Sequence, residues 1–93
     1  MKKNQKLSFI EGVFDPKEAE EILISMLSSK IQFHQMRTFS SVERFGKEDE
    51  NSLNRISELK KSINKLLQLV SQAEISNKQL VITSHINIQI KED

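Results

Sequence analysis

The sequence has no cysteine, no tryptophan, no tyrosine, one proline and two glycines. Without cysteine there is no disulfide framework, no thiolate metal site and no thiol nucleophile. That usage fits a reducing, cytoplasmic setting. Only His34 and His85 represent histidine, too few for a histidine-rich metal site, so no metal or other cofactor is expected. Scarcity of glycine and proline implies few tight turns and long regular elements. Long apolar runs are missing too: Ile22-Leu23-Ile24 is three residues long, and Leu66–Val70 is broken by Gln68. Neither spans a bilayer, and no signal-peptide core follows the basic start Met1–Lys6, so no membrane association is expected. Charge of one sign is absent as well. Fourteen basic and 13 acidic residues give a net +1, with no long-range pull towards nucleic acid or anionic lipid. No glycine-rich phosphate loop, HExxH, nucleophile elbow or EF-hand loop is present, and the chain is read as non-enzymatic.

What is present is pattern. Residues 53–75 carry Ile56, Leu59, Ile63, Leu66, Val70 and Ala73 at alternating spacings of three and four. That is a heptad seam, which lets one helix lie along another in coiled-coil fashion. Leu53 extends it upstream and Leu67 widens it. A helix is therefore expected over 50–76, ended by Asn77 in the left-handed conformation.

An earlier helix is expected over 16–45. Asp15 suits the N-cap, Pro16 the first position, and Glu18 completes a capping box. Ala19, Ile22, Leu23, Met26, Leu27 and Ile31 form a stripe at helical spacing. Phe33, Met36, Phe39, Val42 and Phe45 then recur every third residue, which drifts around a helix of 3.6 residues per turn. The stripe must wind, or the helix must break near 38–41, where Thr38, Ser40 and Ser41 are weak helix formers. Gly46 suits the end.

Two strands are expected outside the helices. Residues 6–14 place Leu7, Phe9 and Val13 at every-other spacing, with Gly12 as a bulge or bend; residues 1–5 read as a loose tail. Residues 79–90 alternate, with Leu80, Ile82, Ser84, Ile86, Ile88 and Ile90 on one face. A short turn makes the helices antiparallel and brings both strands to the same end, where they can pair antiparallel. The fold class expected over 1–93 is thus one α+β, mainly α domain. An antiparallel helical hairpin is flanked by N- and C-terminal strands, β-α-α-β. A chain of 93 residues buries only about 60–65% of its unfolded surface, so completion by oligomerisation is expected.

Candidate functional residues follow from the same pattern. Lys30, His34, Arg37, Ser41 and Arg44 share one face of an unbroken helix. The bland account is a solvated polar face; the sharper one is an anion or partner contact. The phenylalanine stripe reads as core rather than as a docking surface, except Phe45, which is placed at the hairpin tip as a partner contact. His34 and His85 read as ordinary partly exposed histidines, and Lys60, Lys61 and Lys65 as a solvated face. The seam's early half, around Leu53, Ile56 and Leu59, reads as the easiest place for an outside partner to enter. The function expected is a small interaction or assembly module acting as a homo-oligomer, with the chain itself as first partner and another protein as second. The alternatives are a ligand- or nucleic-acid-binding regulator using the basic helical face, and an enzyme assembled between subunits around His34 and Glu43.

Overall fold

The computed structural model describes residues 4–91. The order is β1 (Asn4–Phe14), α1 (Pro16–Phe45), α2 (Glu50–Ser76) and β2 (Leu80–Gln89). The chain is β-α-α-β and mainly helical, with β1 and β2 antiparallel. Strand pairing begins at Asn4, so residues 4 and 5 of the expected tail belong to the ribbon; the remainder of that tail lies outside the described residues.

Local chemistry sets the helix ends. The Glu18 N–H donates to the Asp15 carboxylate at 3.0 Å, and the Asp15 N–H donates to the Glu18 carboxylate at 3.3 Å. These reciprocal bonds satisfy two donors that the first turn leaves free. Gly46, at φ 72°, turns the chain out of α1 while its N–H still reaches the Val42 carbonyl at 2.9 Å. Asp49 caps α2 by accepting from the Ser52 N–H at 3.2 Å. Asn77, at φ 55°, closes it, and the Lys78 N–H returns to the Ala73 carbonyl at 2.9 Å. α1 runs through residues 38–41 without a break.

The helices pack along the seam. Leu59, Leu66, Val70 and Ala73 are buried, with Ile56 and Ile63 half-buried between them. Upstream the seam continues to Ser52, 2% exposed, and not to Leu53, 39% exposed. Ser52 keeps the alternation of three and four; Leu53 lies one residue, about 100°, off it. The facing side of α1 reads Ile24, Leu27, Ile31, His34, Thr38 and Ser41, all buried or half-buried. Its half near the strands is therefore aliphatic and its half near the tip polar. Leu59 is 6% exposed, so the part of the seam expected to stay open is closed by this polar half.

The phenylalanine stripe is the main correction. Phe33, Met36, Phe39, Val42 and Phe45 are 44–72% exposed and form no part of the core. The reason is geometric. A straight helix has one line facing its neighbour, and residues three apart leave that line by about 60° per step. His34, Thr38 and Ser41 keep the heptad register and take the line.

The ribbon holds a second correction. Phe14, Gly12 and Ile10 pair with Leu80, Ile82 and Ser84, and Leu7 pairs with Ile86. The register shifts between Ser8 and Ile10, so Phe9 is the extra residue of a β-bulge. The bulge changes the phase of β1 and brings Leu7 to the level of Ile86. Val13 pairs with Val81 and both are outward, 59% and 76% exposed. Gly12, expected to mark the irregularity, serves another purpose: a Cβ there would meet the Phe14 ring at 3.3 Å.

The ribbon is seated on the helices only at its near end. Leu80 and Ile82 are half-buried beside Leu23, Leu66 and Leu69, whereas Ile86, Ile88 and Ile90 are 40%, 48% and 65% exposed. Ribbon and hairpin form two limbs that part from a common end. The molecule measures 50 × 38 × 14 Å, with a radius of gyration of 16.9 Å. A compact chain of this length would have about 12 Å.

Candidate interaction surface

Where the limbs part they leave an open cleft of about 700 Å³. Phe9, Ser84 and Ile86 line it from the ribbon, and Ser25, Met26, Ser29, Lys30 and Phe33 from α1. The bulge makes Phe9 part of this wall, although strict alternation would have set it beside Val13. By helical spacing, Met26, Ser29, Phe33, Met36 and Ser40 form one stripe of α1, turned well away from the line that meets α2. Along it three large side chains, Met26, Phe33 and Met36, are interspersed with two serines. α1 thus carries a second, partly apolar stripe apart from the line spent on α2, with Phe33 and Met36 exposed on it.

Exposed apolar side chains extend beyond the cleft. Leu7, Phe9, Ile86 and Ile88 on the ribbon and Phe33 and Met36 on α1 are each 40–64% exposed. The whole chain exposes 7643 Å², where a compact protein of 10.8 kDa would expose about 5,500 Å². The excess is about 2,000 Å².

The five residues first grouped on one polar face divide. His34 and Ser41 turn towards the hairpin interior. His34 is 9% exposed, and its Nδ1 lies 3.2 Å from Ser52 Oγ, a hydrogen bond whose donor depends on the imidazole tautomer. Its Nε2 is buried without a partner, as is Thr38 Oγ1 one turn on. Burial, and then the charges of Lys30, Arg55 and Arg37, hold the His34 pKa below its ordinary value, with Asp49 opposing. The imidazole is therefore neutral at neutral pH. The Ser41 hydroxyl donates to the Lys47 carbonyl at 2.8 Å and so fastens the turn.

Lys30, Arg37 and Arg44 stay exposed along the flank of that second stripe. Lys30 Nζ and the Arg37 guanidinium sit 5.1 and 5.7 Å from the Phe33 ring centroid, each within cation–π range. Arg37 Nε is 4.0 Å from an Asp49 carboxylate oxygen, a contact mostly open to water and weakly held. Arg44 and Phe45 border a shallower hollow at the tip with Phe33, Met36, Arg37, Ser40, Ser41 and Asp49. Phe45, 72% exposed, projects at the tip.

Sequence reasoning passed over the pairing of His34 with Ser52 and the cleft between ribbon and helix. A signal for the first was present: Ser52 stands four residues before Ile56, in seam register. The cleft had no local signal, because it depends on the bulge and on the angle between the limbs. No helix among the described residues is long and apolar enough to cross a membrane. Compared with known proteins, the chain matches no family model, no curated protein and no solved structure.

Proposed function

We propose that this chain is a small non-enzymatic assembly module that works as a homo-oligomer. The observation carrying this reading is the roughly 2,000 Å² of surface beyond what a compact chain of its mass would expose. Among the exposed large apolar side chains, Phe33 and Met36 on α1 and Leu7, Phe9, Ile86 and Ile88 on the ribbon lie around the cleft. Contiguous apolar patches beyond a few hundred Å² mark interaction surfaces in soluble proteins. A two-stranded ribbon is also marginal by itself and gains stability when a neighbour covers its open face. We place the module in the cytoplasm, a setting consistent with its lack of cysteine.

The mixed sign of the tip favours assembly over anion binding. Asp49 stands against Arg37, and the exposed Lys30 and Arg37 are engaged with Phe33. An enzyme centred on His34 is disfavoured by burial, since both His34 and Ser52 are closed to a substrate.

Sedimentation velocity or light scattering across a concentration series tests the reading. A mass of at least twice 10.8 kDa at micromolar concentration is expected. A strict monomer over that range would overturn it.

A further inference from the structure

We infer that the cleft receives α1 of a second copy of this chain, running antiparallel to the first, so that the two-limbed molecules clasp each other about a two-fold axis. This rests on the homo-oligomer reading and names the surface and the orientation.

Three features lead to this occupant. The first is area. Obligate dimers bury about 2,000–5,000 Å² in total. Two copies, each covering an excess of about 2,000 Å², bury about 4,000 Å², within that range. A short peptide in the cleft alone would leave Leu7, Ile88 and Met36 bare.

The second is charge along α1. Its first turns carry Glu18, Glu20 and Glu21 against Lys17, and its second half carries Arg37 and Arg44 against Glu43. An antiparallel pair sets the acidic start of each helix at the level of the basic end of its partner. A parallel pair sets like on like, which repels and selects against that arrangement.

The third is shape. The stripe Met26, Ser29, Phe33, Met36, Ser40 reads large, small, large, large, small, and set antiparallel on its own copy about Phe33 it brings Met26 to Ser40 and Ser29 to Met36, large against small. A closed two-fold makes both copies use the same patch, so a self-complementary stripe suffices. The free half of each ribbon, with Leu7, Phe9, Ile86 and Ile88, then lies over the partner's helix. The bulge at Phe9 contributes by directing an aromatic ring into the space that helix enters.

The test compares association of the full chain with that of three variants. Met26→Lys and Ile86→Lys each put a charge into the cleft, one from the helix and one from the ribbon. Phe39→Lys alters a more exposed position, 57% exposed against 40% for Ile86 and a half-buried Met26, outside the cleft. Each cleft variant is expected to weaken self-association by about tenfold or more, with Phe39→Lys near wild type. Circular dichroism identifies any variant that has lost its fold, and the two cleft variants sit on different elements, so one unfolded variant leaves the other decisive. Orientation is read by mixing Glu21→Cys with Arg44→Cys chains and applying a short bis-maleimide. Antiparallel packing gives mixed cross-links, parallel packing only like-with-like. A dimer insensitive to both cleft variants, or one with like-with-like cross-links, overturns this inference and leaves the homo-oligomer reading intact. A wild-type monomer overturns both.

Discussion

His34 Nδ1 lies 3.2 Å from Ser52 Oγ, joining α1 and α2 through a buried polar contact in the tip-ward half of the hairpin. The groups facing this imidazole are Lys30 and Arg37 from its own helix and Arg55 and Asp49 from across the hairpin, three cations against one carboxylate. Protonating it places a charge in a buried site that is already positive. The folded state therefore binds this proton less readily than the unfolded state does. Stability is at its full value above the unfolded imidazole pKa of about 6.5 and falls as pH drops from there through the lowered folded-state pKa. Thermal melts at fixed protein concentration should show a falling midpoint from about pH 7 to pH 5. His34→Gln should flatten that slope. A wild-type midpoint constant over the range would remove His34 from the account.

Deleting Phe9 should leave the ribbon folded. With that residue gone, Ile10, Ser8 and Leu7 face Ser84, His85 and Ile86 in regular alternation, which are the pairings already present for these residues. The deletion removes a bulge and one wall of the cleft, and no ladder pairing. Strand signals and cross-strand proximities in NMR spectra should persist while self-association weakens. Collapse of the ribbon would mean that the bulge itself holds the register.

The contrast between helix ends and helix faces explains what could be read from the residues alone. Asp15, Glu18, Gly46 and Asn77 act within a few residues of themselves, so their chemistry is complete in the local sequence. The seam Ile56–Ala73 was legible because a period of three and four has one structural meaning. The facing line of α1 was not. His34, Thr38 and Ser41 are polar, and beside Phe33, Phe39 and Phe45 they look like the outside of a helix. Register decided which residues met α2, and hydrophobicity decided what was left for another surface. Tertiary consistency outranked residue type here, a conflict expected where a surface serves a partner. The bulge was illegible for a related reason: Leu7, Phe9 and Val13 satisfy alternation by themselves, and only the partner strand shows that they do not share a face.

Gly46→Ala should destabilise the chain although nothing lies within 4 Å of the Cβ it would add. Its cost is conformational. At φ 72° an alanine carries a strain of about 1 kcal/mol that glycine does not. For a domain of this size that amounts to about 4–8 °C in the melting midpoint. Gly46→Asn, which tolerates the left-handed region better, should recover part of the loss.

Leu59→Ala should cost more than Phe39→Ala, although phenylalanine is the larger side chain. Leu59 is 6% exposed and packed in the seam; Phe39 is 57% exposed. Truncating a buried leucine removes transfer energy and leaves a hole, together about 2–5 kcal/mol. Truncating a bare phenylalanine outside the cleft removes little that folding had buried, about 0.5 kcal/mol or less. Urea unfolding at several protein concentrations checks this, since concentration separates folding from association. A large, concentration-independent loss for Phe39→Ala would return the phenylalanine stripe to the core of the single chain. A loss that grows on dilution would instead place Phe39 inside the proposed dimer interface and widen that interface beyond the cleft.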